Sequence, residues 1–128
     1  AQIHDCKAAL RWMRANANTL GLDPDRIAVS GNSAGAHLSL LLGRHLITPN
    51  LRARAVIAIY PPTHLKGGGE LDSAVNQLFG DINVSQEVRD RASPITWSRE
   101  SFPPTMLVHG NNDKVVPVSE TLNMYDQL

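Results

Sequence analysis

The tightest constraint in the sequence is a five-residue corner, Gly31-Asn32-Ser33-Ala34-Gly35. Ahead of it, Ile27-Ala28-Val29 is a short apolar run of the kind a covered parallel strand needs. Behind it, the residues from Ala34 onward are helix formers, with Leu38, Leu41 and Leu42 at helical spacing. A strand that becomes a helix within so few residues brings its two arms almost into contact. Side chains two before and two after Ser33 are therefore expected to be minimal, and Gly31 and Gly35 have none. The residue at the tip is expected in a strained backbone conformation with its hydroxyl pushed outward.

The corner fits Gly-x-Ser-x-Gly, the pattern of a nucleophile elbow. Chemistry supports that reading beyond the pattern. Ser33 would sit where a helix begins, and free N–H groups and the positive end of the helix dipole stabilise negative charge there. The N–H of Ala34 could hold an oxygen that becomes anionic during acyl transfer. The competing reading is a small-residue turn or a phosphate loop. A dinucleotide loop needs Gly-x-Gly-x-x-Gly and a triphosphate loop ends in Gly-Lys-Ser/Thr, and neither occurs. Asn32 either points into a substrate pocket or tolerates an unusual backbone angle.

The rest of the chain alternates helix and strand. Residues 4 to 20 read as an amphipathic helix with Ala8, Ala9, Trp12, Met13 and Leu20 on its apolar face, ended by Gly21. A helix follows the elbow to about His45 and breaks at Thr48-Pro49-Asn50. Residues 53 to 60 form a second buried strand, stopped by Pro61-Pro62. The stretch 61 to 100 is longer than a simple crossover and is expected to line or cover a pocket. It holds Gly67-Gly68-Gly69 and two short helices, Asp72 to Phe79 and Ser85 to Ala92, the second capped by Ser85. Residues 105 to 109 are a third strand, 110 to 113 a loop, and 118 to 128 a helix. This order implies an α/β fold with a parallel sheet. Three strands alone would leave both edges bare, so further strands are expected on at least one side.

Composition narrows the function. The 128 residues suffice for a single domain with a sizeable core, and hydrophobic content of 42% with 19% charged is ordinary for a globular chain. Twelve basic and twelve acidic residues cancel, which argues against a nucleic-acid partner. No apolar run has the length of a membrane span. Cys6 is the only cysteine, so a cytoplasmic and a secreted location both stay open. His4-Asp5-Cys6 lacks the second half of a zinc site, and no metal is called for.

The order of these motifs resembles the α/β-hydrolase family, in its small carboxylesterase and acetyl-esterase-like branch. The likeness rests on Ala8 to Ala17 before the nucleophile strand, on Gly21-Leu22-Asp23-Pro24-Asp25-Arg26-Ile27 leading into it, and on the elbow from Gly31 to Leu38. It continues in Pro103-Pro104-Thr105-Met106-Leu107-Val108-His109-Gly110-Asn111-Asn112-Asp113-Lys114-Val115-Val116-Pro117, which is similar to the strand and loop that carry the family's catalytic acid. The resemblance implies a sheet with helices on both faces, incomplete at both ends, in a single partial domain over 1–128. It implies Ser33 as nucleophile, Asp113 as the acid that orients a histidine, and Ala34 as the first oxyanion donor. In the family the histidine follows the acid and the second oxyanion donor precedes the elbow, so both are expected outside residues 1–128. His37 and His109 are read as structural, and His64 has the wrong order for the base. The implied function is hydrolysis of a small ester, short-chain or acetyl, with no cofactor. A prolyl-oligopeptidase-type peptidase, a formamidase-like amidase and a non-catalytic binding domain are the alternatives. The oligomeric state is not legible.

Overall fold

The computed structural model describes residues 2–44, 51, 53–66, 72–80, 84–97 and 102–128. The Gly67-Gly68-Gly69 tract, the break at Thr48-Pro49-Asn50 and His45 lie outside those residues. In chain order the elements are α1 (Gln2–Ala15), α2 (Ala17–Leu20), β1 (Val29–Asn32), α3 (Ala34–Gly43), β2 (Val56–Ile59), α4 (Asp72–Phe79), α5 (Gln86–Ala92), β3 (Thr105–Val108) and α6 (Val118–Tyr125), with a 3-10 turn over Pro94–Trp97 between α5 and β3.

The strands form one parallel sheet in the order β1-β2-β3. Its rungs run Val29–Val56–Thr105, Ser30–Ile57–Met106, Gly31–Ala58–Leu107 and Asn32–Ile59–Val108. Alternation then sorts the side chains by face. Val29, Val56, Ala58 and Leu107 meet Ala36 and Leu40 of α3 and Met124 of α6 in the main core, joined by Ile95 and Phe102. The opposite face carries Ser30, Asn32, Ile57, Ile59, Met106 and Val108, and Met106 is 59% exposed. β1 starts two residues later than its apolar run suggests. Ile27 accepts from Arg54 N–H but turns its side chain into a second cluster with Leu10 and Leu51.

The first helix departs from expectation in two ways. It breaks at Asn16, whose side-chain amide donates to Trp12 O, and resumes as the single turn of α2 before Gly21 caps it at φ +67°. Its buried side is also displaced. Leu10 and Ala17 are buried and Met13 is half-buried, whereas Ala8 and Ala9 are exposed and Trp12 is 59% exposed. Trp12 is thus no packing anchor in this chain, because the face turned to Ile27 and Leu51 runs through Leu10 and Met13. Trp97 is anchored: Arg44 stacks 3.6 Å over its ring and its indole N–H donates to Arg91 O.

One side chain ties the segment after β2 to the last helix. Glu120, in the first turn of α6, accepts at Oε2 from Thr63 N–H, His64 N–H and the Thr63 hydroxyl, each at 2.8 Å. Thr63 is fully buried, so no water can replace that acceptor. Glu120→Ala is expected to lower stability by about 1–3 kcal/mol, the cost of orphaned buried donors. Glu120→Gln keeps an acceptor oxygen and should lose less. The urea midpoints of both variants check this.

Candidate active site

Ser33 occupies the corner between β1 and α3 with φ 50° and ψ −121°. Such a conformation is sparsely populated for a residue with a side chain. Its neighbours hold it there. Ser33 N–H donates to Ile59 O at 3.0 Å, and Ser33 O accepts from His37 N–H at 3.1 Å. Gly31 supplies the close approach: a Cβ there would collide with the carbonyl carbon and oxygen of Gly35, and would stand 2.8 Å from Ala36 N. Gly35 differs from expectation, since a Cβ on it would meet nothing within 4 Å among the described residues. The backbone of Gly35 makes the contact, so the steric demand falls on residue 31 alone. Ala34 is the first residue of α3, and its N–H has no acceptor within that helix.

Ser33 and Ala34 open on a cleft of about 350 Å³, which Leu38, Pro62, Leu65, Val75 and Leu78 line with apolar side chains. Two of these, Val75 and Leu78, come from α4, and Pro62 and Leu65 from the segment after β2.

Asp113 lies in the loop after β3. Its Oδ1 accepts from Val115 N–H at 2.8 Å and Val116 N–H at 3.0 Å. Those amides, Val116 first and Val115 second, together with the nearby His109 ring, hold its carboxyl below the ordinary range. Oδ2 lies 3.6 Å from His109 Nε2, beyond hydrogen-bond length, and the side chain is 22% exposed. The carboxylate therefore keeps one oxygen for another donor. β2 separates β1 from β3, so the two loops start roughly 10 Å apart, two strand spacings.

The BD-FAE family model matches residues 1–128. The chain belongs to the BD-FAE family. It is 34% identical to the probable carboxylic ester hydrolase LipM and 33% identical to the esterase LipC, both of Mycobacterium tuberculosis, over 98% of its own length in each case. It spans 33% of LipM and 36% of LipC. Among solved structures it superposes on the acetyl ester-xyloside bifunctional hydrolase of Caldicellulosiruptor lactoaceticus with a TM-score of 0.84 at 30% identity, covering 98% of this chain and 50% of that one. Esterase 2 of Thermogutta terrifontis follows with 0.75 at 26% identity, covering 98% and 47%. The fold is that of the α/β-hydrolases.

Two of the histidines of this BD-FAE chain, His37 and His109, have their rings engaged elsewhere. His37 is buried with Nε2 at 2.7 Å from Ala92 O, and burial lowers its pKa. Its proton is therefore on Nε2 and points at α5. His109 Nε2 donates to Val116 O at 2.8 Å, and its Nδ1 pairs with the Thr121 hydroxyl at 2.6 Å. His64 is fixed through its backbone by Glu120, and its pKa is lowered by burial and then by Lys66. His4 is exposed. Asn32 has no positive φ, and its amide donates to the Tyr60 hydroxyl at 2.8 Å. In the sequence Tyr60 reads only as the end of the second buried strand. Its signal was position, at the carboxyl end of a parallel strand and directly before Pro61-Pro62.

Gly31→Ala is expected to cost about 3 kcal/mol, the upper end of the overpacking range, because backbone atoms cannot move aside. Gly35→Ala should be neutral or stabilising by up to about 1 kcal/mol through helix propensity. Thermal midpoints of the two variants decide it. A second expectation concerns acid. Asp113 has a lowered folded pKa, so its charged form stabilises the fold above the ordinary value of 3.8 and that contribution fades as pH falls through the lowered value. The difference in melting temperature between the parent chain and Asp113→Ala should be constant above about pH 5 and shrink below pH 4.

Proposed function

We propose that this chain carries the nucleophile and the acid of a serine esterase. Ser33 Oγ attacks an ester carbonyl, and a histidine from outside residues 1–128 takes its proton. Asp113 Oδ2 holds that histidine and stabilises its cationic form, while Oδ1 stays bound to the loop amides. The N–H of Ala34 bonds the tetrahedral oxyanion, together with a donor from before the elbow. Collapse expels the alcohol, which receives the proton. Water then attacks the acyl-enzyme by the same route and releases the acid. The observation that carries this reading is the strained corner at Ser33, which opens on an apolar cleft and begins a helix. The hydrogen bonds of the His37 and His109 rings take both out of contention as the base.

The substrate class is a small carboxylic ester. The segment 61–100 serves as the pocket wall through Pro62, Leu65, Val75 and Leu78, whose apolar surfaces suit a short acyl chain. Two structural relatives point the same way by their descriptions, one a hydrolase of acetyl esters and one an esterase solved with butyrate. In the full-length protein, a fluorophosphonate probe is expected to label one serine, and Ser33→Ala should abolish labelling and p-nitrophenyl acetate turnover by at least about a thousandfold. Unchanged labelling of Ser33→Ala would remove Ser33 as nucleophile. A series of p-nitrophenyl esters from acetate to octanoate, beside peptide amides, should show turnover falling with chain length and none on amides.

A further inference from the structure

The carboxyl end of β2 lies between the two loops that carry Ser33 and Asp113, and one residue there reaches both. Tyr60 follows Ile59 directly. Its N–H donates to Val108 O at 2.6 Å, so the β2–β3 ladder continues one step past the sheet, as the β1–β2 ladder does through Ser33 N–H and Ile59 O. The backbone at Tyr60 has φ +41°, in the left-handed region that a bulky residue avoids. Surrounding contacts must hold it there. Its hydroxyl accepts from Asn32 Nδ2 at 2.8 Å, and its ring stands edge-on to the His109 ring at a centroid distance of 6.4 Å and 74°. Asn32 immediately precedes Ser33. His109 opens the loop that reaches Asp113, and its Nε2 lies 3.6 Å from Asp113 Oδ2.

We propose that Tyr60 is a positioning residue that holds the elbow and the acid loop in one fixed relation, its hydroxyl on Asn32 and its ring against His109. The inference rests on the reading of Ser33 and Asp113 given above. Neither contact reaches a reacting atom. Each bears on a neighbour of a catalytic group, and a small misplacement of either group lowers the rate without weakening substrate binding. The strained backbone at Tyr60 is consistent with this, because a residue serving only as a strand end could relax into the extended region.

The test uses the full-length protein with p-nitrophenyl acetate and a fluorophosphonate probe. Tyr60→Phe keeps the ring and the backbone and deletes only the hydroxyl. The expected result is a fall of about three- to tenfold in kcat and in the labelling rate of Ser33, the effect of one neutral hydrogen bond. KM and the melting temperature should stay unchanged. Asn32→Ala, at an exposed position, should show the same fall, and the double variant should fall no further than either single one. Three results overturn the inference: Tyr60→Phe reacting at the parent rate, the two single effects multiplying in the double variant, or a loss that tracks a lower melting temperature. A parent protein that is not labelled at Ser33 overturns the hydrolase reading together with this one. A labelled parent with an unaffected Tyr60→Phe overturns this one alone.

Discussion

The corner at Ser33 is held in a conformation that an isolated chain would leave, at a cost of about 1–3 kcal/mol. It persists because the elements on both sides cannot move. α3 presses Ala36 and Leu40, both fully buried, against Val56 and Ala58 of the central strand. β1 is fixed to β2 over four rungs, and the ladder runs on to Ser33 N–H itself. With both arms fixed, the only way to close the turn is for backbone to touch backbone. That contact is Gly31 on Gly35 and Ala36, and it needs a missing side chain at one position only. Packing density at the base of α3 is thus what presents a hydroxyl at its tip.

Electrostatics in the loop after β3 follow from a similar division of labour. A carboxylate that accepts from two amides is kept charged and kept still. Its second oxygen is then directed by the first. His109 contributes from behind, with its own nitrogens bound to Thr121 and to Val116 O, so the ring is a strut of the loop and has no free valence for proton transfer. His37 is spent in the same manner on Ala92 O. Two histidines near a serine and an aspartate would suggest a complete proton relay, and the hydrogen bonds exclude both from it.

Local rules made much of this legible. The Gly-x-Ser-x-Gly corner, the left-handed glycine at 21, the Ser85 cap that accepts from Val88 N–H, and the α4 boundaries are all set by residues within a few positions of one another. Where sequence reasoning failed, the deciding partner was distant. The apolar face of α1 was assigned through Trp12, yet Leu10 and Met13 face Ile27 and Leu51, and nothing in the helix alone states where those two will lie. Glu120 lies in the first turn of α6, where the helix dipole alone favours an acid. Its grip on Thr63 and His64, 57 and 56 residues away, exists only once α6 docks. Tyr60 and Asn32, 28 residues apart, meet only because β1 and β2 pair in this register.

That register gives the site a property its loops could not give it. Asn32, Ile59 and Val108 form the last rung, and Ser33, Tyr60 and His109 are each the next residue on their strand. The starting points of the Ser33 corner and of the loop that reaches Asp113 are therefore spaced by hydrogen-bonded strands, which hold a constant separation. Ser33 follows β1 and the Asp113 loop follows β3, with β2 paired to both strands between them. Under the role inferred for Tyr60, its two contacts tie both loops to the end of a strand that is paired on each side.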